Sequence, residues 1–227
     1  MQISTTQKRV IIGIVNAFET GKLEGDYGKV VVYVDGPVVK GKPISQITYG
    51  RSQATEFYSL KEILKMYAER GGRYSAQIEK YLDKVGKKPS LCTDATFKKL
   101  LQDAGNDAIM QQCQDEVFDA RYYQPAKEWA EENGFVEQLS LAVIYDSYIH
   151  SGKIREDIRA SFPEKVPPQG GNERKWISEY VAARREWLAN RKGALKNTVY
   201  RMDCFLNQIK NDNWSLVSAV WANGVKV

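Results

Sequence analysis

The sequence predicts a mainly α-helical α+β protein with one small antiparallel sheet near its N-terminus. Three observations carry this. Apolar residues recur at helical spacing over most of the chain after residue 52, while β-branched residues broken by Gly and Pro are confined to residues 28–50. The length of 227 residues, 43% of them hydrophobic, suffices for one large domain or two modest lobes, each burying a core.

The first helix is expected over 5–20, where Ile11, Ile14, Val15 and Phe18 share a face and Gly21 supplies the stop. The segment KVVVYVDGPVVKGKPISQITYG that follows reads as the sheet, with turns at Asp35-Gly36 and Lys40-Gly41. Leu60, Ile63, Leu64 and Tyr67 form the next stripe, and Phe97, Leu100 and Leu101 another. A long helical run covers 105–131, where Pro125 should bend or break it. Residues 135–150 form the most apolar helix, with Leu139, Ala142, Val143 and Ile149 on one face. SFPEKVPPQGG (161–171) must be a loop, followed by helices over 172–190 and 194–210 and a tail of short apolar pieces.

One histidine in the whole chain excludes a great deal. A zinc site built on two or three histidines is ruled out, as is HExxH, and a Ser-His or Cys-His mechanism would have to run through His150. Cys92, Cys113 and Cys204 are odd in number, widely spaced and form no CxxC, so they read as small buried hydrophobes. No metal and no cofactor is expected. No apolar run reaches the ~18 residues of a membrane span, and the polar start lacks a secretory cleavage site. Either the protein stays inside the cell, or this is a mature form whose signal was removed. The net charge, 33 − 28 = +5, is mild and decides little. Carboxylates are left as the natural carriers of chemistry.

Three charges sit on stripes that should face a core. Asp146 continues the Leu139–Val143 stripe, Arg184 lies among Ile177, Tyr180, Val181, Trp187 and Leu188, and Arg201 lies four residues before Phe205. Buried unpaired charge costs several kcal/mol or more, so these residues must find one another. Two arginines and one aspartate need one more carboxylate. Glu19, at the end of the first helix and four residues after Val15, is the obvious one. Such a network either fixes helix packing or holds a catalytic carboxylate and tunes it.

Asp35 lies 16 residues further on. An Asp before Gly is most often turn chemistry. A helix-end Glu followed by a hairpin Asp is also how a cleft between a helix and a sheet acquires two facing acids. Glycoside hydrolysis needs such a pair, one to protonate the leaving oxygen and one to activate water or attack carbon.

At these residues the sequence resembles the bacterial chitosanases of glycoside hydrolase family 46, in the lysozyme-like superfamily. FETGKLEGDYGKVVVYVDG (18–36) resembles the family's run from catalytic Glu to catalytic Asp. YYQPA (122–126), AVIYDSYIHSG (142–152), QGGNE (169–173), YVAARR (180–185) and YRMD (200–203) follow in the family's order. The resemblance implies one catalytic domain over 1–227, with a smaller sheet-bearing lobe at about 20–55, a larger helical lobe and a substrate cleft between them. It implies Glu19 as general acid, Asp35 as general base and Thr48 as a holder of the attacking water. Asp146, Arg184 and Arg201 become the network supporting Glu19, and Glu56 a contact to a substrate ammonium. Tyr33 and Tyr49 could supply stacking platforms for sugar rings, although core packing is the commoner role for any one such ring.

The implied activity is endo-hydrolysis, with inversion, of the β-1,4 bonds of chitosan, with the carboxyls ~6.5–9.5 Å apart to admit water. The implied partner is a polysaccharide met by a secreted monomer, with no nucleic acid and no membrane. This chain departs from the family where Asp35-Gly36 runs into PVVKGKPISQ instead of Gly-Arg-Gly-Tyr-Thr: the arginine is lost and the hairpin is longer. The family's histidine falls on Ser151, leaving His150 as a helix-end residue. Two other readings stay open. A phage-type lysozyme acting on peptidoglycan suits the positive charge and action from the cytoplasm at lysis, and a basic helical module could bind nucleic acid. If chitosan is the substrate, an acidic groove drawn from Glu19, Glu24, Asp26, Asp35 and Glu56 is expected despite the +5.

Overall fold

The computed structural model describes residues 1–51 and 53–227. Along the chain run α1 (Thr5–Thr20), β1 (Val30–Tyr33), β2 (Val38–Val39), β3 (Lys42–Pro43), β4 (Gln46–Tyr49), β5 (Ala54–Thr55), α2 (Leu60–Glu69), α3 (Ser75–Glu79), α4 (Ala95–Ala104) and α5 (Ala108–Phe118). There follow α6 (Gln124–Glu132), α7 (Gln138–Ser151), α8 (Glu156–Arg159), α9 (Glu173–Ala189), α10 (Tyr200–Lys210), β6 (Trp221–Ala222) and β7 (Val225–Lys226). Two compact units divide them, Met1–Glu24 with Arg121–Val227, and Gly25–Ala120. No helix among the described residues is long and apolar enough to cross a membrane.

The unit of residues 25–120 carries the sheet, in strand order β1-β4-β5, all antiparallel. Its central strand β4 is buried along its whole length. Ile47 and Tyr49 enter one core with Leu60, Ile63, Leu64 and Tyr67 of α2, Phe97 and Leu101 of α4, and Met110, Cys113 and Val117 of α5. That shared core is why this unit reaches Ala120, well beyond the stretch of about 20–55 that the resemblance implied for the smaller lobe. The only positive-φ pair in the 28–50 segment is Lys40-Gly41 (φ 49° and 79°), which closes the β2–β3 hairpin as a two-residue turn. The expected turn at Asp35-Gly36 is absent. There the chain bends out of β1 into the hairpin, and the Gly36 N–H donates to the Ile44 carbonyl at 2.9 Å.

In the other unit α1 packs on α7, α7 on α6 and α9, and α9 on α10. α1 starts in a capping box: Ser4 Oγ accepts from the Gln7 N–H and Gln7 Oε1 from the Ser4 N–H. It stops at left-handed Gly21 (φ 69°). The run expected over 105–131 is interrupted, though upstream of Pro125. A π segment at Asp119–Tyr123 absorbs the break, and Pro125 sits in the first turn of α6, where its missing N–H has no role. The final helix begins later than expected, because Gly193–Thr198 forms 3₁₀ turns before α10.

Candidate active site

Most buried charge in the unit of residues 1–24 and 121–227 lies along one line. Asp146 on α7 is 0% exposed. Its Oδ2 accepts from Arg184 Nη1 at 2.8 Å and its Oδ1 from Arg201 Nη1 at 2.9 Å. Arg201 extends its second amino group, Nη2, to Glu19 Oε1 at 2.5 Å. Two cations face two anions, so the set is neutral, as helical periodicity required. Burial alone would raise the Asp146 carboxyl, but Arg184 and Arg201 outweigh it and hold the group below the ordinary range. Burial acts against the Arg201 charge too, and Asp146 and Glu19 more than restore it.

Arg184 is fixed from the far side. Its Nη1 also reaches Ser147 Oγ at 2.7 Å, which accepts from the Tyr180 hydroxyl at 2.9 Å and donates to the Val143 carbonyl. Arg184 Nη2 lies 3.2 Å from His150 Nδ1. A guanidinium can only donate, so Nδ1 accepts and the imidazole proton resides on Nε2. Burial first, then the charges of Arg201 and Arg184, lower the His150 pKa to about 4. His150 thus ends the charge line as a neutral acceptor at the C-terminal end of α7.

The backbone around Glu19 is tied down as tightly. The last carbonyls of a helix have no partner within it. Here the Asn16 carbonyl takes Thr20 Oγ1, the Ala17 carbonyl takes the Gly21 N–H and Asn223 Nδ2, and the Phe18 carbonyl takes the Tyr200 hydroxyl. Phe18 packs edge-on against Tyr200 and Phe205, with the Arg201 guanidinium 5.4 Å from its ring centre. Glu19 itself is 25% exposed in its side chain, and its Oε2 has no hydrogen-bond partner among the described residues. A carboxyl held by one oxygen and open at the other is what proton donation needs.

In the unit of residues 25–120, Asp35 is exposed, and its Oδ1 accepts from Gln46 Nε2 at 3.0 Å. Thr48 lies two residues along β4 from Gln46, hence on the same face. Its Oγ1 is buried yet makes no hydrogen bond among the described residues. Tyr33 on edge strand β1 is 47% exposed. Two expectations are corrected. Glu56 is 1% exposed, and its carboxylate accepts from the Ile47 N–H, the Leu91 N–H and Ser90 Oγ. It staples the 90–91 loop to β4 and is closed to a substrate ammonium or an acidic groove. Tyr49 is fully buried in the core, because odd positions of β4 point inward, so it offers no stacking face.

Gln46 escaped the sequence reading, though alternation along β4 places it beside Thr48. Tyr200 and Asn223, which pin the end of α1, left no signal, since their partners are backbone carbonyls about 180 and 200 residues away.

The profile of glycosyl hydrolase family 46 matches residues 54–219. The chain belongs to glycosyl hydrolase family 46. This family 46 chain is 26% identical over 235 residues to a chitosanase of Bacillus subtilis (strain 168), covering 94% of the chain and 80% of that protein. Its fold is that of the native chitosanase from Bacillus subtilis MY002 (TM-score 0.76, 22% identity, all of both chains). It is also that of the Gynuella sunshinyii family 46 chitosanase solved with chitotetraose (TM-score 0.75, 22% identity, 100% of this chain and 98% of the other). The lysozyme-like fold expected from the resemblance is therefore the fold observed. The family match begins at Ala54, so Glu19, Asp35 and Thr48 lie outside it, whereas Asp146, Arg184 and Arg201 lie within it.

Proposed function

We propose that this chain is an endo-acting chitosanase that cleaves β-1,4 bonds between glucosamine units with inversion at the anomeric carbon. Membership of a glycosidase family and the chitosanase named among its relatives support the substrate. The observation that carries the mechanism is the buried line Arg184–Asp146–Arg201–Glu19, which ends on a partly exposed carboxyl.

Glu19 is the general acid. Arg201 fixes Oε1, and because the arginine's charge is shared with Asp146, it can hold the carboxyl both before and after the proton leaves. Oε2 presents that proton to the glycosidic oxygen. Asp35 is the general base. Its carboxylate takes a proton from a water that attacks the opposite face of the sugar, and the anomeric configuration inverts. Thr48 retains an unused hydroxyl, the spare capacity a water-holding group needs, and engaging it takes a local shift of the atoms covering it. Tyr33 offers an exposed ring for stacking on a sugar. The enzyme acts as a monomer outside the producing cell, where a polymer of this size is found. Glu19→Gln tests the assignment: reducing-end release from chitosan should fall by about 10²–10⁴-fold with the circular dichroism spectrum unchanged. Full activity in that variant overturns it.

A further inference from the structure

We propose that Gln46 is the positioning residue of Asp35, doing in this chain what no charged side chain does. The inference rests on the assignment of Asp35 as general base. Asp35 sits in an extended bend between β1 and the β2–β3 hairpin, is exposed, and is a residue whose own backbone makes no turn to hold it. Among the described residues its carboxylate has one hydrogen bond, from Gln46 Nε2 at 3.0 Å. Gln46 is 6% exposed and is anchored by the cross-strand pairing of β4 with Tyr33 of β1.

The geometry also settles which way the amide faces. Gln46 Oε1 lies 3.4 Å from the Phe57 N–H, a donor that only the carbonyl oxygen can meet, so Nε2 is committed to Asp35. The amide occupies Oδ1 and leaves Oδ2 to take a proton from water. A neutral donor suits this task. A lysine or arginine at hydrogen-bond distance would stabilise the carboxylate so strongly that it became a poor base, whereas an amide orients it at smaller electrostatic cost. The β2–β3 hairpin returns the chain so that Gln46, paired with Tyr33, lies beside Asp35.

The test uses the full chain with Gln46→Glu, Gln46→Ala, Asp35→Asn and the double variant Gln46→Ala/Asp35→Asn. Gln46→Glu keeps an oxygen for the Phe57 N–H, so the fold is held, but it sets a second carboxylate against Asp35. Its kcat on chitosan should drop by about 10-fold or more, with KM within twofold of the parent and the acidic limb of the kcat profile moved to higher pH. Gln46→Ala should lower kcat by a similar factor, and adding it to Asp35→Asn should lower the residual rate no further. A Gln46→Glu enzyme with parental kcat and parental pH limbs overturns the inference, as does a Gln46→Ala loss that multiplies fully with Asp35→Asn. Undiminished activity of Asp35→Asn alone instead removes the base assignment on which the inference stands.

Discussion

Asp146→Asn is the perturbation whose magnitude the structure fixes best. The carboxylate is wholly buried and opposes two guanidinium groups, Arg184 and Arg201, whose side chains are themselves all but buried. The amide keeps the shape and removes the charge, leaving two buried cations against Glu19 alone. Removing one partner from a buried pair costs about 3–5 kcal/mol, because the remaining charge has lost both water and partner. In a protein of this size 1 kcal/mol moves the melting temperature by about 2–4 °C, so a fall of about 6–20 °C is expected. Among the described residues Arg184 Nε and Arg201 Nε are already buried without a partner, so the network offers no spare acceptor there to soften the loss.

Urea unfolding followed by tryptophan fluorescence reads this directly. The pH dependence follows from the sign of the shift. A carboxyl held below its ordinary value contributes fully above the ordinary range and loses the contribution as pH falls through the lowered value. The gap between parent and variant should therefore be constant from pH 7 to pH 5 and narrow only in more acidic solution, below about pH 4. A gap under about 1 kcal/mol at pH 7 would refute the claim that these charges depend on one another.

Three further outcomes are expected. Lowering the pH from 7 to 4 should destabilise the parent by up to about 3 kcal/mol through His150, since unfolding lets an imidazole held down to about 4 regain its ordinary affinity for a proton; His150→Gln should flatten that slope between pH 6.5 and 4, and an unchanged slope contradicts the reading. Glu56→Gln should cost about 2–3 kcal/mol in denaturant unfolding, because an amide cannot accept from all three donors around it, with KM for chitosan unchanged. A raised KM at parental stability restores Glu56 as a substrate contact. Tyr33→Ala should raise KM for long oligomers by about 5-fold or more while kcat holds, as loss of one stacking platform of about 1 kcal/mol predicts, and an unmoved KM leaves that ring outside the binding surface.

The helical part of the fold was legible because amphipathic spacing and its violations share one grammar. Asp146, Arg184 and Arg201 were visible as charges where apolar residues belonged, and each is buried against another. The same reasoning fell short on β4. The alternation of Gln46-Ile47-Thr48-Tyr49 left Tyr49 open between a sugar-facing and a core role, and the strand is buried on both faces. The ammonium contact given to Glu56, beyond β4, came from the resemblance, and no spacing announces the backbone donors of Ile47 and Leu91 that hold it. The turn assigned to Asp35-Gly36 failed for a different reason. Asp-Gly satisfies the chemistry of a turn without requiring one, and the reversal went to Lys40-Gly41 a few residues later, where the left-handed backbone is found. The partners of α1's last carbonyls had no signature at all, because backbone acceptors are the same at every residue.

The central claim is hydrolysis of polyglucosamine by Glu19 and Asp35, and ¹H NMR of chitosan digestion tests it most directly. The parent enzyme should release products whose new reducing ends appear first as the α-anomer from β-linked substrate, and Glu19→Gln and Asp35→Asn, though folded, should release almost none. The β-anomer appearing first would contradict the inverting mechanism. Unimpaired release by either variant would contradict the residues assigned to it.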